Sequence, residues 1–194
     1  GAKKADSSLD NENPRHKIFL ENYTISDKLI SISEWLSFVR ENGYKRKKFW
    51  SSHGWNWRTK NNITSPLNWV FKNKYHFSLS TPNGYITPKK NMPVSNISKY
   101  ELEAFASWNK MRLPHEFEWE VSSNKLAGKF KVWEWSANQF FGYKNFKPYP
   151  YKEYSYPWFK DNYFTLKGAS IFSLKDIKRE SFRNFYQPST RYIF

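Results

Sequence analysis

A chain of 194 residues can bury a core without disulfides or a structural metal, and this one contains no cysteine. That excludes a disulfide scaffold, a thiolate zinc site and a cysteine nucleophile. Ten Trp, thirteen Tyr and seventeen Phe exclude a disordered chain and predict a core built from rings.

The formal net charge of +15 admits a nucleic-acid or anionic-surface partner. The longest basic cluster is Lys45-Arg46-Lys47-Lys48, and the remaining charge is scattered among acids. A Lys-rich solvated surface accounts for this as well, which makes nucleic-acid binding the weaker reading. No run of eighteen apolar residues and no secretory signal is present, so the sequence predicts a soluble, cytoplasmic protein without a membrane partner.

In chain order, residues 1–13 are polar and predict a flexible N-terminal segment. Lys17-Ile18-Phe19-Leu20 reads as a short strand, continued by Tyr23-Thr24-Ile25. Ser31 and Glu34 form a capping box, and Trp35, Leu36, Phe38 and Val39 follow at helical spacing. Gly43 suits the left-handed residue that ends such a helix. Residues 44–93 read as irregular, with Trp50, Trp55, Trp57, Trp69 and Tyr75 among Asn, Lys, Pro and Gly. Within them Pro82-Asn83-Gly84 predicts a turn and Tyr85-Ile86 a brief strand. So long a stretch is either a functional loop region or a surface insertion pinned by its own rings.

A second capping box, Ser98 with Glu101, opens a helix through Leu102, Phe105, Ala106 and Asn109. Pro114 punctuates the chain, and 116–121 predicts a short helix. Beyond Gly128 the sequence reads as short strands and loops, with no boundary signal and no internal repeat.

Four groups of residues carry a family resemblance. Asp10-Asn11-Glu12-Asn13-Pro14-Arg15-His16 is followed by Ile32-Ser33-Glu34-Trp35-Leu36-Ser37-Phe38, then Gly54-Trp55-Asn56-Trp57-Arg58 and Pro66-Leu67-Asn68-Trp69. Pro93-Val94-Ser95-Asn96-Ile97-Ser98 leads through Glu103-Ala104-Phe105-Ala106-Ser107-Trp108 to Arg112-Leu113-Pro114-His115-Glu116-Phe117-Glu118-Trp119-Glu120. Val132-Trp133-Glu134-Trp135-Ser136 precedes Leu166-Lys167-Gly168-Ala169-Ser170 and Phe182-Arg183-Asn184-Phe185. Together these resemble formylglycine-generating-enzyme-like domains. The opening signature and Tyr143-x-x-Phe146-x-Pro148 resemble the C-terminal domain of ergothioneine-type sulfoxide synthases. His115 departs from the family pattern, which has Thr there.

The resemblance implies an α+β, C-type-lectin-like fold with much irregular structure, as a single domain over 14–194. It implies C–S bond formation on a histidine betaine with a thiol such as cysteine. Iron(II) is expected from a separate N-terminal helical-bundle domain, in cis or in trans, and the last few residues of the family domain are missing. No catalytic residue or metal ligand is assigned to this chain. None of His16, His53, His76 and His115 shows the H-x-x-x-H spacing of a helical ligand pair. Trp135, Phe140, Tyr143, Phe185 and Tyr186 are the candidate wall for a trimethylammonium group, since aromatic faces attract cations. Arg191 is the candidate carboxylate contact. One subclass uses a tyrosine as proton donor where this chain has Phe140, which cannot serve. A non-catalytic ligand-binding module on the same fold remains the alternative.

Overall fold

The structure is a computed structural model that describes residues 1–3, 7–73, 76–160 and 162–193. Tyr75 and the terminal Phe194 therefore lie outside the described residues. The chain is a mixed α and β protein in which two three-stranded antiparallel sheets accompany four α-helices among the described residues. Although the sequence carries no boundary signal, the chain groups into two compact units, each assembled from two separated stretches.

The first unit comprises Leu29–Arg112 with Ser189–Phe194. Helix α1 (Ile32–Arg40) starts at the predicted capping box: Glu34 N donates to Ser31 Oγ, and Ser31 N donates to Glu34 Oε2. It ends one residue earlier than Gly43 suggests. Asn42 takes the left-handed conformation, with φ of 59°, and Asn tolerates it because its short amide bonds locally. Gly43 is required for another reason. A Cβ there would sit 2.1 Å from a Phe38 ring carbon.

The stretch read as irregular contains helix α2 (Ser52–Lys60), capped by Ser51, whose Oγ accepts from Gly54 N. It also holds an antiparallel meander, β1 (Trp69–Phe71), β2 (Phe77–Thr81) and β3 (Gly84–Ile86). Trp69 faces Leu79 across one ladder and Leu79 faces Ile86 across the next. The turn and brief strand expected at 82–86 are present. Helix α3 (Lys99–Trp108) begins at Ser98 as predicted. Trp35 of α1 stacks on Phe105 of α3 with ring centroids 4.7 Å apart, and Phe38 meets the same ring edge-on. Such ring pairs add about 0.5–1.5 kcal/mol each beyond area burial. Tyr44, Trp50, Trp69 and Leu79 complete this ring-dominated core.

The second unit comprises Gly1–Lys28 with Leu113–Pro188. Its opening segment is not loose at 10–12: Asp10–Glu12 form a 3-10 turn and all three residues are buried. Ser155 Oγ donates to Asp10 Oδ1 at 2.5 Å, and Ser181 Oγ and Arg179 donate to Glu12. Fixed polar partners hold a polar turn inside the protein, which composition alone does not reveal. The strand expected at 17–20 does not form, and Phe19 is 85% exposed. Residues 23–25 are likewise outside any strand.

Helix α4 (Glu116–Ser122) uses His115 as its N-cap: Nδ1 accepts from Phe117 N at 3.2 Å. An imidazole nitrogen thus does the capping where the resemblance implies a threonine hydroxyl. Strands β4 (Trp133–Gln139), β5 (Phe164–Gly168) and β6 (Asn184–Tyr186) form the second sheet, with β5 in the centre. Trp135 pairs with Leu166, and Leu166 with Asn184. The β4–β5 register shifts between Trp135 and Gln139, which re-aims the chain entering Phe140.

Candidate functional site

Four elements of the second unit meet at one guanidinium. Arg183, just before β6, donates from Nε to Glu116 Oε2 at 2.7 Å and from Nη2 to Glu116 Oε1 at 2.8 Å. Its Nη1 donates to the Asn11 carbonyl at 2.7 Å. Glu116 stands at the first residue of α4. It also accepts from Asn138 Nδ2 of β4 at 2.9 Å, while its own N–H donates back to Asn138 Oδ1. Both charged side chains are fully buried. Burial alone would lower the Arg183 pKa, but Glu116, joined by Tyr143 and Glu120, more than offsets it and holds the guanidinium above its ordinary value.

Three rings close over the same cation. The Arg183 guanidinium carbon lies 4.2 Å from the Tyr143 ring centroid, 4.8 Å from Phe140 and 5.3 Å from Phe141. Phe185 stacks on Phe140 at 4.2 Å. Of the residues expected to line a wall, Phe140, Tyr143 and Phe185 come together here, and the cation seated against Phe140 and Tyr143 is the chain's own arginine. The Tyr143 hydroxyl lies 3.5 Å from Glu116 Oε2. Burial first, with Glu116 adding to it against the opposing pull of Arg183, raises the Tyr143 pKa far above the usual phenol range. At neutral pH it is a fixed neutral donor.

The predicted residues separate by access. Trp135, Phe140 and Tyr143 are buried, at 4%, 1% and 2% exposure. Phe185 is half-buried and Tyr186 is exposed. Arg191 belongs to the other unit and does not stand free for a substrate. Its Nε and Nη2 donate to Glu101 Oε2 and Oε1 at 2.9 and 3.0 Å, and Nη2 also donates to the Ser65 carbonyl. The physical reason is Glu101 itself. That fully buried carboxylate caps α3, takes the Tyr44 hydroxyl at 2.7 Å, and needs a countercharge. Glu116, Asn138 and Asn11 were not singled out as site residues. Glu116 and Asn11 lie within quoted motifs, but a motif position does not disclose its partner; Asn138 carries no sequence signal.

Two of the histidines are built into the packing of this unit. His16 packs edge-on against Tyr143 and Phe117, with its Nδ1 3.0 Å from the Pro14 carbonyl. His115 has its Nδ1 committed to the α4 cap. Among the described residues, no group of three His, Cys, Asp or Glu is arranged to hold a metal ion. The described residues of this chain supply no ligand set for iron.

Beside the arginine cluster lies a second polar pair. Burial pushes the Glu134 carboxyl up to about 7, opposed in part by the nearby Trp119 indole N–H. Neither Glu134 Oε1 nor Trp119 Nε1 reaches hydrogen-bond geometry with any partner, so the opposition is weak. Lys167, on β5, is fully buried, and desolvation lowers its pKa against the pull of Glu120, to which it donates at 3.2 Å.

The model of the sulfatase-modifying factor enzyme 1-like domain matches residues 1–131. The chain belongs to that family. Hercynine oxygenase of Mycobacterium tuberculosis is 28% identical to this family member over 96% of the chain and 54% of the relative. Hercynine oxygenase of Mycolicibacterium thermoresistibile is 26% identical over 96% of the chain and 52% of the relative. The mouse protein named inactive C-alpha-formylglycine-generating enzyme 2 is 23% identical, covering 66% of the chain and 46% of its own length. The family member spans about half the length of these relatives.

Proposed function

We propose that this chain is the substrate-binding part of an iron- and oxygen-dependent sulfoxide synthase of the ergothioneine type. It would work on a histidine betaine together with a thiol such as cysteine. The observation that carries the reading is coverage: relatives named hercynine oxygenase align over 96% of the chain. Iron, supplied by a separate helical-bundle domain in cis or in trans, would provide the oxygen chemistry. The C-type-lectin-like form of the fold is part of the same reading.

What this chain contributes is a shaped aromatic face. Phe140 and Tyr143 would back the wall and Phe185, stacked on Phe140, would touch the betaine, while Tyr186 points to the opposite face of β6. Arg183 fills the inner face, so the trimethylammonium group would meet the outer rings, whose faces still attract cations. The rigid Glu116–Arg183 pair keeps those rings from collapsing.

Calorimetry of the protein with histidine betaine tests binding, and combination with an iron-bearing helical-bundle domain tests turnover. Binding weakened by Phe185→Ala, with oxygen uptake in the combination, is the expected result. Absence of both binding and turnover sinks the proposal. The mouse relative's printed name supports a second reading, a ligand-binding module without catalysis. Betaine binding with a silent combination would favour it.

A further inference from the structure

We propose that the turn at 170–174 docks the protein on an anionic lipid surface. The chain leaves β5 at Gly168 and enters a tightly built tip. Ser170 N donates to Ser173 Oγ at 2.9 Å, Phe172 N to Ser170 Oγ at 3.2 Å, and Ser173 N to the Ser170 carbonyl at 3.1 Å. Ile171 N ties the tip to the Lys131 carbonyl at 3.2 Å. Polar atoms of the turn are thus satisfied inward, and the apolar side chains point away. Ile171, Phe172 and Leu174 are 64%, 74% and 75% exposed.

Three large apolar residues presented together in a fixed turn, with water over most of their surface, are unusual for a soluble surface. Folding gains little from holding them there, because they bury little area within the protein.

The surroundings say what complements them. Lys131 and Lys175 are exposed beside the tip, and Lys178 Nζ sits 3.4 Å from the Ile171 carbonyl. The nearby Lys129 and Arg179 are already committed to Glu180 and Glu12. Asp176 is the opposing acid in the same turn, so the rim carries a net positive charge. A protruding apolar tip ringed by lysines suits a deformable surface with an apolar interior and negative headgroups. Two weak signals of this kind, apolar insertion and basic attraction, give reversible attachment. Among the described residues no helix is long and apolar enough to cross a membrane, and this contact lies on the surface without crossing it.

The test is co-sedimentation with phosphatidylcholine vesicles, with and without about one-third phosphatidylserine. The protein should bind only the anionic vesicles. Ile171→Ser, Phe172→Ser and Leu174→Ser combined should weaken binding by at least about tenfold, and Lys131→Glu with Lys175→Glu by about fivefold per lysine. Unchanged far-ultraviolet circular dichroism confirms that these variants stay folded. Because the chain has no cysteine, Leu174→Cys can be labelled at that site alone with an environment-sensitive fluorophore. Its emission should shift to the blue on adding anionic vesicles. If the serine variant binds as tightly as the parent chain, the overall charge of +15 explains attachment and the proposal is overturned. A label that stays in water overturns it equally, as does a tip that binds an acidic protein while ignoring vesicles.

Discussion

Arg183 grips Glu116 through two parallel hydrogen bonds of 2.7 and 2.8 Å, with neither side chain reached by solvent. The pair joins the chain just before β6 to the first turn of α4, and three rings shield it.

Removing one partner of such a pair leaves a buried charge without compensation. Arg183→Met should destabilise the protein by about 3–5 kcal/mol, and Glu116→Leu by a similar amount. The double replacement should cost much less than the sum, because both charges then disappear together. Denaturant unfolding of the three variants forms the cycle. Additive losses would show that the two side chains do not depend on each other.

Glu134 makes stability depend on pH in a definite direction. Its folded carboxyl is pushed up to about 7 by burial, above its ordinary 4.5. The folded state therefore holds the proton more tightly. Its stabilising contribution is complete below about 4.5 and is lost as pH climbs to about 7. Glu134→Gln should remove this slope and leave the protein more stable above pH 7 by about 1–3 kcal/mol. Melting temperatures of both proteins across this range provide the check. Parallel curves would mean that the carboxyl titrates normally.

Gly43→Ala places a methyl 2.1 Å from a Phe38 ring carbon in a packed aromatic core. The ring must move, at a cost of about 1–3 kcal/mol. Phe38→Leu in the same chain should recover part of that loss. If the alanine variant unfolds at the same denaturant concentration as the parent, the packing described for this corner is wrong.

Arg191 offers a separation of roles. If its work is to neutralise Glu101, Arg191→Lys should lower the melting temperature, since one ammonium cannot reproduce the two-pronged contact. Betaine affinity of the folded variant should stay within about twofold, measured by calorimetry. A tenfold loss of affinity with normal stability would restore Arg191 to the substrate.

The sequence disclosed elements whose signals are local. Ser31 with Glu34 and Ser98 with Glu101 marked helix starts, because a capping box is written within four residues. Helix α2 stayed hidden: its Gly54, Asn56 and mixed surface give no apolar stripe, and its support comes from Ser51 and from packing. The strand expected at 17–20 failed for the opposite reason. Its apolar side chains have the right pattern but find no partner strand. At the site, Tyr143 and Phe185 were legible as aromatic residues in the family motifs, whereas Phe141 carried no such signal. That an internal arginine would occupy them was not legible, since Asn11, Glu116 and Arg183 lie far apart along the chain and meet only through the fold.

The buried turn at Asp10–Glu12 has a bearing on the order of assembly. Glu12 takes its hydrogen bonds from Arg179 and Ser181, 167 and 169 positions downstream. Closing so large a loop carries an entropic cost, and it is repaid only after residues 179–181 have been made. Helices α1 and α3, whose contacts are nearer in sequence, can organise beforehand. Until Arg179 and Ser181 arrive, the acidic turn stays in water without these partners. Its burial therefore marks one of the last steps in reaching the native state.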